Sequence, residues 1–376
     1  MGTLLNTPLI MGPLMLRNRV VMAPLTRMRA QMPGNIPREL NARYYAQRAS
    51  AGLIISEATP ISPMGHGYYG TPGIHNSEQV EGWKLVTKAV HEHGTPMFLQ
   101  LWHVGRVSHN DLLPGGVLPV GPSALSAGGQ APTATGPKPH PIARALETSE
   151  ISAIVADYRV AAQRAMDAGF DGVEIHSANG YLLEQFLSDH ANLRSDQYGG
   201  SVENRARFLI EVVEAVISVW GLRRVGVRLS PSNTTQNVDL TNRWGTFRYV
   251  FRQLDRFPLA YVHMVEPRVI GNVDAEPQFD LPSSRFRKLL TGDIRLISAG
   301  GHNRETAIQT LANNQADLIA FGRLFIANPD LPARLEENAP LNPYDRVTFY
   351  GGTDKGYIDY PALKESRTAT EHNPTN

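Results

Sequence analysis

Cysteine is absent from all 376 residues, which excludes disulfides, thiolate metal sites and thiol nucleophiles together. The chain is thereby compatible with a reducing compartment. Surplus charge is lacking as well: 36 basic against 35 acidic side chains leave a formal net charge of +1 and no long basic run. Neutralising a nucleic-acid backbone needs such a surplus, so nucleic acid is not an expected partner. No apolar run approaches the length of a bilayer span. The segment Met1-Gly-Thr-Leu-Leu-Asn6 has neither the basic region of a secretory signal nor, at Asn6, the Ser or Thr of a myristoylation motif. These absences predict a soluble, cytoplasmic protein with no membrane partner. Metal-ligand spacings are missing too: among 12 histidines there is no His-x-His after the first strand and no His-Glu-x-x-His, so no metal is expected.

What is present is an alternation of apolar strand runs and helical patterns. Arg19–Arg27, Leu53–Ala58, Pro96–His103, the run from Asp171, Arg224–Ser230, Leu259–Glu266, Ile294–Gly301 and Ala316–Arg323 read as strands. Helical spacing lies between them, as from Pro37 to the stop at Gly52, in the helix that Thr148 opens, or after Ser77 and Ser201 as capping candidates. Eight strands with intervening helices predict an α/β fold, a (β/α)₈ TIM barrel. The length suits one domain over 1–376. Leu4–Leu16 suits a hairpin plugging one end. Gly105–Pro141, rich in Pro, Gly, Ser and Ala, suits a lid-like insertion after strand three, and residues 362–376 suit a frayed polar tail.

The chemistry gathers where the fourth strand ends. His176, Asn179 and Tyr181 come within six positions, on a turn loosened by Gly180, where barrel enzymes keep their reactive groups. A second feature sits after strands seven and eight, whose loops carry Ala299-Gly300-Gly301 and Gly322-Arg323. Barrels commonly bind phosphate there: glycine lets backbone amides come close, and Arg adds a charged fork. Tight turns alone would also explain the glycines.

The run Asn192-Leu-Arg194-Ser-Asp-Gln-Tyr198-Gly-Gly200-Ser-Val-Glu-Asn-Arg205 completes a pattern with His176, Asn179 and Tyr181. From about Arg17 to Pro361 the chain resembles the Old Yellow Enzyme family of flavin-dependent ene-reductases. The resemblance implies tightly but non-covalently bound FMN, with NADPH or NADH as reductant and small activated alkenes as substrates, in a monomer or homodimer. Pro24, Leu25 and Thr26 would lie against the flavin ring, with the Thr26 hydroxyl donating to the C4 carbonyl. Ala58 and Gln100 would be further ring contacts, and Arg228 the cation beside the N1 and C2 carbonyl edge. Tyr68, Trp102 and Tyr350 would wall the substrate space. His176 and Asn179 would hold the substrate's carbonyl or nitro oxygen, and Tyr181 would supply the proton.

Alternatives stay open at this level. Arg228 suits a barrel-interior ion pair, and Tyr68 and Trp102 suit plain packing. The same fold could carry a flavin-dependent isomerase or a nitro or nitrate-ester reductase. Gln197 stands where the family usually has Glu, and Ser232–Val238 follows none of its patterns, so the loops leave substrate range undefined.

Overall fold

The computed structural model describes residues 2–363; from residue 364 on, the expected frayed tail lies outside the described residues. Eight short, wholly or largely buried strands form the centre: β1 (Val20–Met22), β2 (Leu53–Ile55), β3 (Met97–Trp102), β4 (Gly172–Ser177), β5 (Val225–Leu229), β6 (Tyr261–Val265), β7 (Arg295–Ala299) and β8 (Leu318–Phe321). Each pairs in parallel with the next, and Ile319 of β8 pairs with Val20 of β1, which closes the barrel. Closure leaves no edge strand to protect.

The helices follow their strands in turn: α1 (Glu39–Gln47), α2 (Ser77–His91), α3 (Thr148–Asp167), α4 (Val202–Trp220), α5 (Arg243–Leu254), α6 (Ser283–Arg287), α7 (Arg304–Ala312) and α8 (Leu331–Glu337). Strand alternation sends Val173, Ile175, Val225 and Val227 outward into one apolar layer with Tyr158, Ala162, Val212 and Val216 of the helices. Glu174, His176 and Arg228, at the alternate positions, face the barrel axis instead.

Two helix starts differ from the sequence reading. The first helix begins at Glu39, beyond Pro37, and ends at the C-cap Arg48. Asn76, not Ser77, caps α2: its side chain accepts from the Gln79 amide at 2.9 Å while Gln79 Oε1 accepts from the Asn76 amide at 3.3 Å. That reciprocal pair satisfies two backbone donors, and its cap is worth about 1 kcal/mol. Ser201 caps α4 as expected, accepting from the Asn204 amide at 3.3 Å.

At the amino-terminal end of the barrel, strands Leu9–Met11 and Leu14–Leu16 pair antiparallel, and Met11 and Leu16 pack with Val21, Leu53, Phe98 and Ile297. The expected plug is there. Residues 105–141 fold into short turns and an antiparallel pair, Gln130–Thr133 with Gly136–Pro139. Their Val107 and Ala127 pack behind Trp102, and none of them lines the main cavity described below. The insertion therefore backs the aromatic wall.

The chain after α8 returns to the carboxyl end of the barrel, where buried arginines grip it. Arg27 donates to the carbonyls of Phe349 (2.8 Å) and Gly356 (2.7 Å), Arg29 to those of Thr348 (2.9 Å) and Thr353 (3.0 Å), and Arg48 to that of Tyr357 (3.2 Å). Tyr357 stacks on Tyr44, ring centroids 4.0 Å apart.

Candidate active site

Beyond β4 the chain turns sharply, with Asn179 at φ 57° and Gly180 at φ 84°. Asn tolerates the left-handed region, and a Cβ at Gly180 would stand 2.6 Å from the Cβ of Gln236. The turn is tied down by Glu184, whose carboxylate accepts from the Gly180 amide, from Ser230 Oγ at 2.8 Å and from Asn233 Nδ2 at 3.0 Å. Ser230 Oγ in turn accepts from the Asn179 amide at 2.8 Å. Burial pushes the Glu184 carboxyl up to about 7. Sequence reasoning missed Glu184 and Ser230; a lone acid in the apolar run Leu182–Leu187 was the available signal.

Held this way, Tyr181 meets three aromatic neighbours. Its ring lies edge-on to His176 at 5.0 Å and to Trp102 at 4.9 Å, and its hydroxyl is 2.9 Å from that of Tyr68. Tyr68 stacks on Trp102 at 5.3 Å. Burial, reinforced by the Tyr68 hydroxyl, holds the Tyr181 phenol well above its usual range. Burial, with Arg228 and His263 adding to it, pushes the His176 imidazole well below its own. His176 is therefore neutral at neutral pH, able to donate one N–H but with no spare proton to give.

Arg228 emerges from β5 next to β4, its backbone in register with His176 and, on the other side, with His263. Among the described residues it makes no carboxylate pair of its own. Instead Arg228 Nη1 lies 2.6 Å from His263 Nε2, and His263 Nδ1 lies 2.8 Å from Glu174 Oε2. Gln100 Nε2 donates to the other oxygen of Glu174 at 2.7 Å.

A cavity of about 800 Å³ opens at the carboxyl ends of the strands. Its lining brings together Pro24, Leu25, Thr26, Tyr68, Asn179, Tyr181, Arg228, Ala299, Gly300, Gly301, Gly322, Arg323 and Tyr350. Ala58, Gln100, Trp102 and His176 stand one layer deeper, nearly or wholly buried. Ala58 packs on Trp102, Val104 and Val107, and Trp102 is wholly inaccessible. The outer rim was not legible in the sequence. It is a hairpin, Val269–Ile270 paired with Val273–Asp274, with Tyr344 and Phe349 beyond it. Asn272 Nδ2 donates to the Tyr350 hydroxyl at 3.0 Å, and Asp274 forms a bidentate ion pair with Arg323. Tyr350 is thus a half-exposed rim residue.

The model of the NADH:flavin oxidoreductase / NADH oxidase family matches residues 4–342. The chain belongs to this family, the Old Yellow Enzymes. It is 48% identical over 364 residues to 12-oxophytodienoate reductase 1 of Oryza sativa subsp. japonica, covering 96% of this chain and 93% of that protein. It is 45% identical over 381 residues to the flavin oxidoreductase hxnT of Emericella nidulans, covering 95% and 97%. Among solved structures, morphinone reductase superposes with a TM-score of 0.89 at 49% identity, covering 97% of both chains. The old yellow enzyme homologue from Zymomonas mobilis superposes at 0.90 and 45% identity, covering 96% and 99%. As an Old Yellow Enzyme, the chain is an FMN-dependent oxidoreductase that draws on NAD(P)H.

The residues present fit FMN. Arg228 lines the cavity and its Nε is buried without a partner, a donor of the kind a flavin's carbonyl edge would need. At the other end Gly300 lies at φ 107°, and a Cβ there would stand 2.4 Å from Val269. Glycine is thus required there by the turn's own packing, and Gly300 and Gly301 both line the cavity. Among the described residues, no cluster of three or more His, Asp or Glu could hold a metal. No described helix is long and apolar enough to cross a membrane.

Proposed function

We propose that this Old Yellow Enzyme reduces the activated C=C bond of α,β-unsaturated carbonyl or nitro compounds, with Tyr181 as proton donor. The observation that carries this reading is that Asn179 and Tyr181 line the Arg228 cavity together, with neutral His176 directly behind, its ring 5.0 Å from that of Tyr181. When bound, FMN supplies hydride chemistry, taking reducing equivalents from NAD(P)H and passing them to the alkene. Thr26, Pro24 and Leu25 would hold its ring, Arg228 and Gln100 its polar edge, and Gly300, Gly301, Gly322 and Arg323, beside Ala299, its phosphate.

His176 and Asn179 would donate hydrogen bonds to the substrate oxygen, stabilising the negative charge that builds there. Tyr181 holds its proton at the phenol oxygen because burial disfavours the phenolate. The Tyr68 hydroxyl, 2.9 Å away, can donate to that oxygen as the proton leaves for the α-carbon. Since neutral His176 has no proton to spare, the acid is the phenol. Tyr68, Trp102 and Tyr350 would bound the substrate from deep wall to rim. The chain is read as one FMN-binding unit over 1–376, monomeric or homodimeric and cytoplasmic, with small molecules and neither nucleic acid nor membrane as partners.

The visible spectrum of the purified protein, before and after anaerobic NADPH, tests the reading. A flavin band that bleaches with NADPH and returns on adding an enone is expected. A colourless protein that cannot be reconstituted with FMN would overturn it.

A further inference from the structure

Two ionisable groups at the heart of the barrel have no part in the steps above. Glu174 and His263 have wholly inaccessible side chains; His263 contacts Arg228, which lines the cavity, and Glu174 stands behind His263. A buried carboxylate is strongly disfavoured unless it is paired and fully hydrogen-bonded. Glu174 meets that condition through one bond from Gln100 Nε2 at 2.7 Å and one from His263 Nδ1 at 2.8 Å. The second bond fixes the tautomer: Nδ1 carries the proton, so Nε2 is the acceptor facing Arg228 Nη1 at 2.6 Å. The first fixes the Gln100 amide, whose nitrogen is turned to Glu174 and whose oxygen is left on the opposite side. One carboxylate therefore dictates the orientation of two groups from different strands. It also sets a negative charge one imidazole away from Arg228. Counter-charge this close decides how much of the guanidinium's field reaches the cavity.

We propose that Glu174 and His263 are positioning residues that aim Arg228 and Gln100 at the cavity and set how strongly the site favours reduced over oxidised flavin. The inference rests on the flavin reading above. Reduced flavin gathers negative charge on the edge assigned to Arg228, so the local net charge enters the redox equilibrium directly. With Glu174 ionised, as His263 and Arg228 favour against its burial, and His263 neutral, as burial and Arg228 favour against its pairing with Glu174, the trio is electrically balanced. Removing the carboxylate charge leaves it at plus one.

The test is FMN affinity and reduction potential, measured on reconstituted full-length wild type and the variants Glu174→Gln, His263→Gln and His263→Leu. Glu174→Gln should shift the ratio of reduced to oxidised FMN affinity at least tenfold toward reduced, a potential higher by about 30 mV. His263→Gln can still donate to Glu174 and accept from Arg228, and should stay near wild type. His263→Leu frees Arg228 to turn back toward Glu174 and should shift the ratio about tenfold the other way. Where Glu174→Gln gives no folded protein, the His263 pair decides: a lowered potential in Leu alone supports the roles, and equal potentials overturn them. Glu174→Gln that binds FMN with an unchanged or lower potential also overturns them. Wild-type protein that takes up no FMN sinks the flavin reading itself, whereas normal uptake with equal potentials throughout sinks only Glu174 and His263.

Discussion

The two ends of the cavity are built on opposite plans. The end proposed for the flavin ring and substrate grows from β3, β4, β5 and β6, and its polar groups are held by buried partners: Gln100 and His263 by Glu174, the Asn179 turn by Glu184 and Ser230. The end proposed for phosphate grows from loops, and its cation is tied to a side chain in open water. The Glu174–His263 pair is wholly inaccessible, while Asp274, the partner of Arg323, is 66% exposed. Exposed ion pairs contribute about 0 to 1 kcal/mol and exchange readily, whereas breaking a buried one costs about 3 to 5 kcal/mol. Chemistry needs fixed geometry, and the end proposed for it is the strand-built one. Capture of a cofactor needs a contact that can be given up, and an exposed carboxylate is such a partner.

The sharpest break in this comparison is Tyr181→Phe, which leaves both ends standing and removes one proton. Enone reduction should fall about 10²- to 10⁴-fold, the usual range for a general acid, with FMN binding and reduction by NADPH nearly intact. With a nitroalkene, consumption should persist and nitronate accumulate before the nitroalkane appears. Stopped-flow traces with both half-reactions equally slowed and no nitronate would remove Tyr181 from the acid role.

Next in size, His176→Ala or Asn179→Ala should cost alkene reduction up to roughly 2.7 to 4 kcal/mol of transition-state stabilisation. Both should also weaken binding of phenols that mimic an enolate oxygen. Phenol affinities equal to wild type by spectral titration would contradict the assignment.

At the loop-built end, Arg323→Ala should weaken FMN retention by about 1.5 to 3 kcal/mol, the worth of a charge-assisted hydrogen bond, and the protein should purify partly colourless. Asp274→Asn should do the reverse, tightening FMN by up to about 1 kcal/mol because the phosphate no longer competes with a carboxylate. Dialysis followed by flavin quantitation reads both. Full occupancy in Arg323→Ala, or weaker binding in Asp274→Asn, would erase the contrast between the two ends.

The smallest effect falls on Thr26, between them. Losing roughly 0.5 to 1.5 kcal/mol of hydrogen bond to reduced flavin lowers the potential by about 10 to 30 mV. Thr26→Ala should then be reduced more slowly by NADPH. An unchanged or raised potential in spectroelectrochemical titration would take Thr26 off the ring.

Most of the architecture was legible because it is carried by local pattern. Each barrel strand is an apolar run that stands out in its own ten residues, and Pro24 forced the end of β1 just where Thr26 was needed. The cavity wall was legible for a different reason: the motif from His176 to Tyr181 is contiguous and resembles a known family. What escaped reading depends on partners far apart in the chain. Glu174 and His263 are 89 residues apart, and Asp274 and Arg323 are 49 apart. A Glu or His inside a buried strand does signal that something must satisfy it, but the partner appears only when the barrel closes. The rim hairpin from Val269 to Asp274 escaped because its strands are two residues each, too short for alternation to show. Asn76 was passed over for Ser77 because either suits a cap, and only the reciprocal bond with Gln79 distinguishes them.

The arginines beneath the rim hold the returning chain by its carbonyl oxygens and, at one position, by the Tyr357 ring, which lies 5.0 Å from Arg27 and 4.6 Å from Arg29. Arg27, Arg29 and Arg48 donate to the backbone of Thr348, Phe349, Thr353, Gly356 and Tyr357, and every residue has a carbonyl. Away from Tyr357, such a grip is indifferent to spelling. Tyr350, Thr353, Asp354 and Lys355 are all exposed, so their side chains can be rewritten while the main chain stays in its socket. Variants randomised at these positions should lose no more than about 0.5 kcal/mol of stability, as surface substitutions do, and their melting temperatures would show it. Tyr350 lies on the cavity rim, so descent with modification has a place here to try new substrates without putting the barrel at risk.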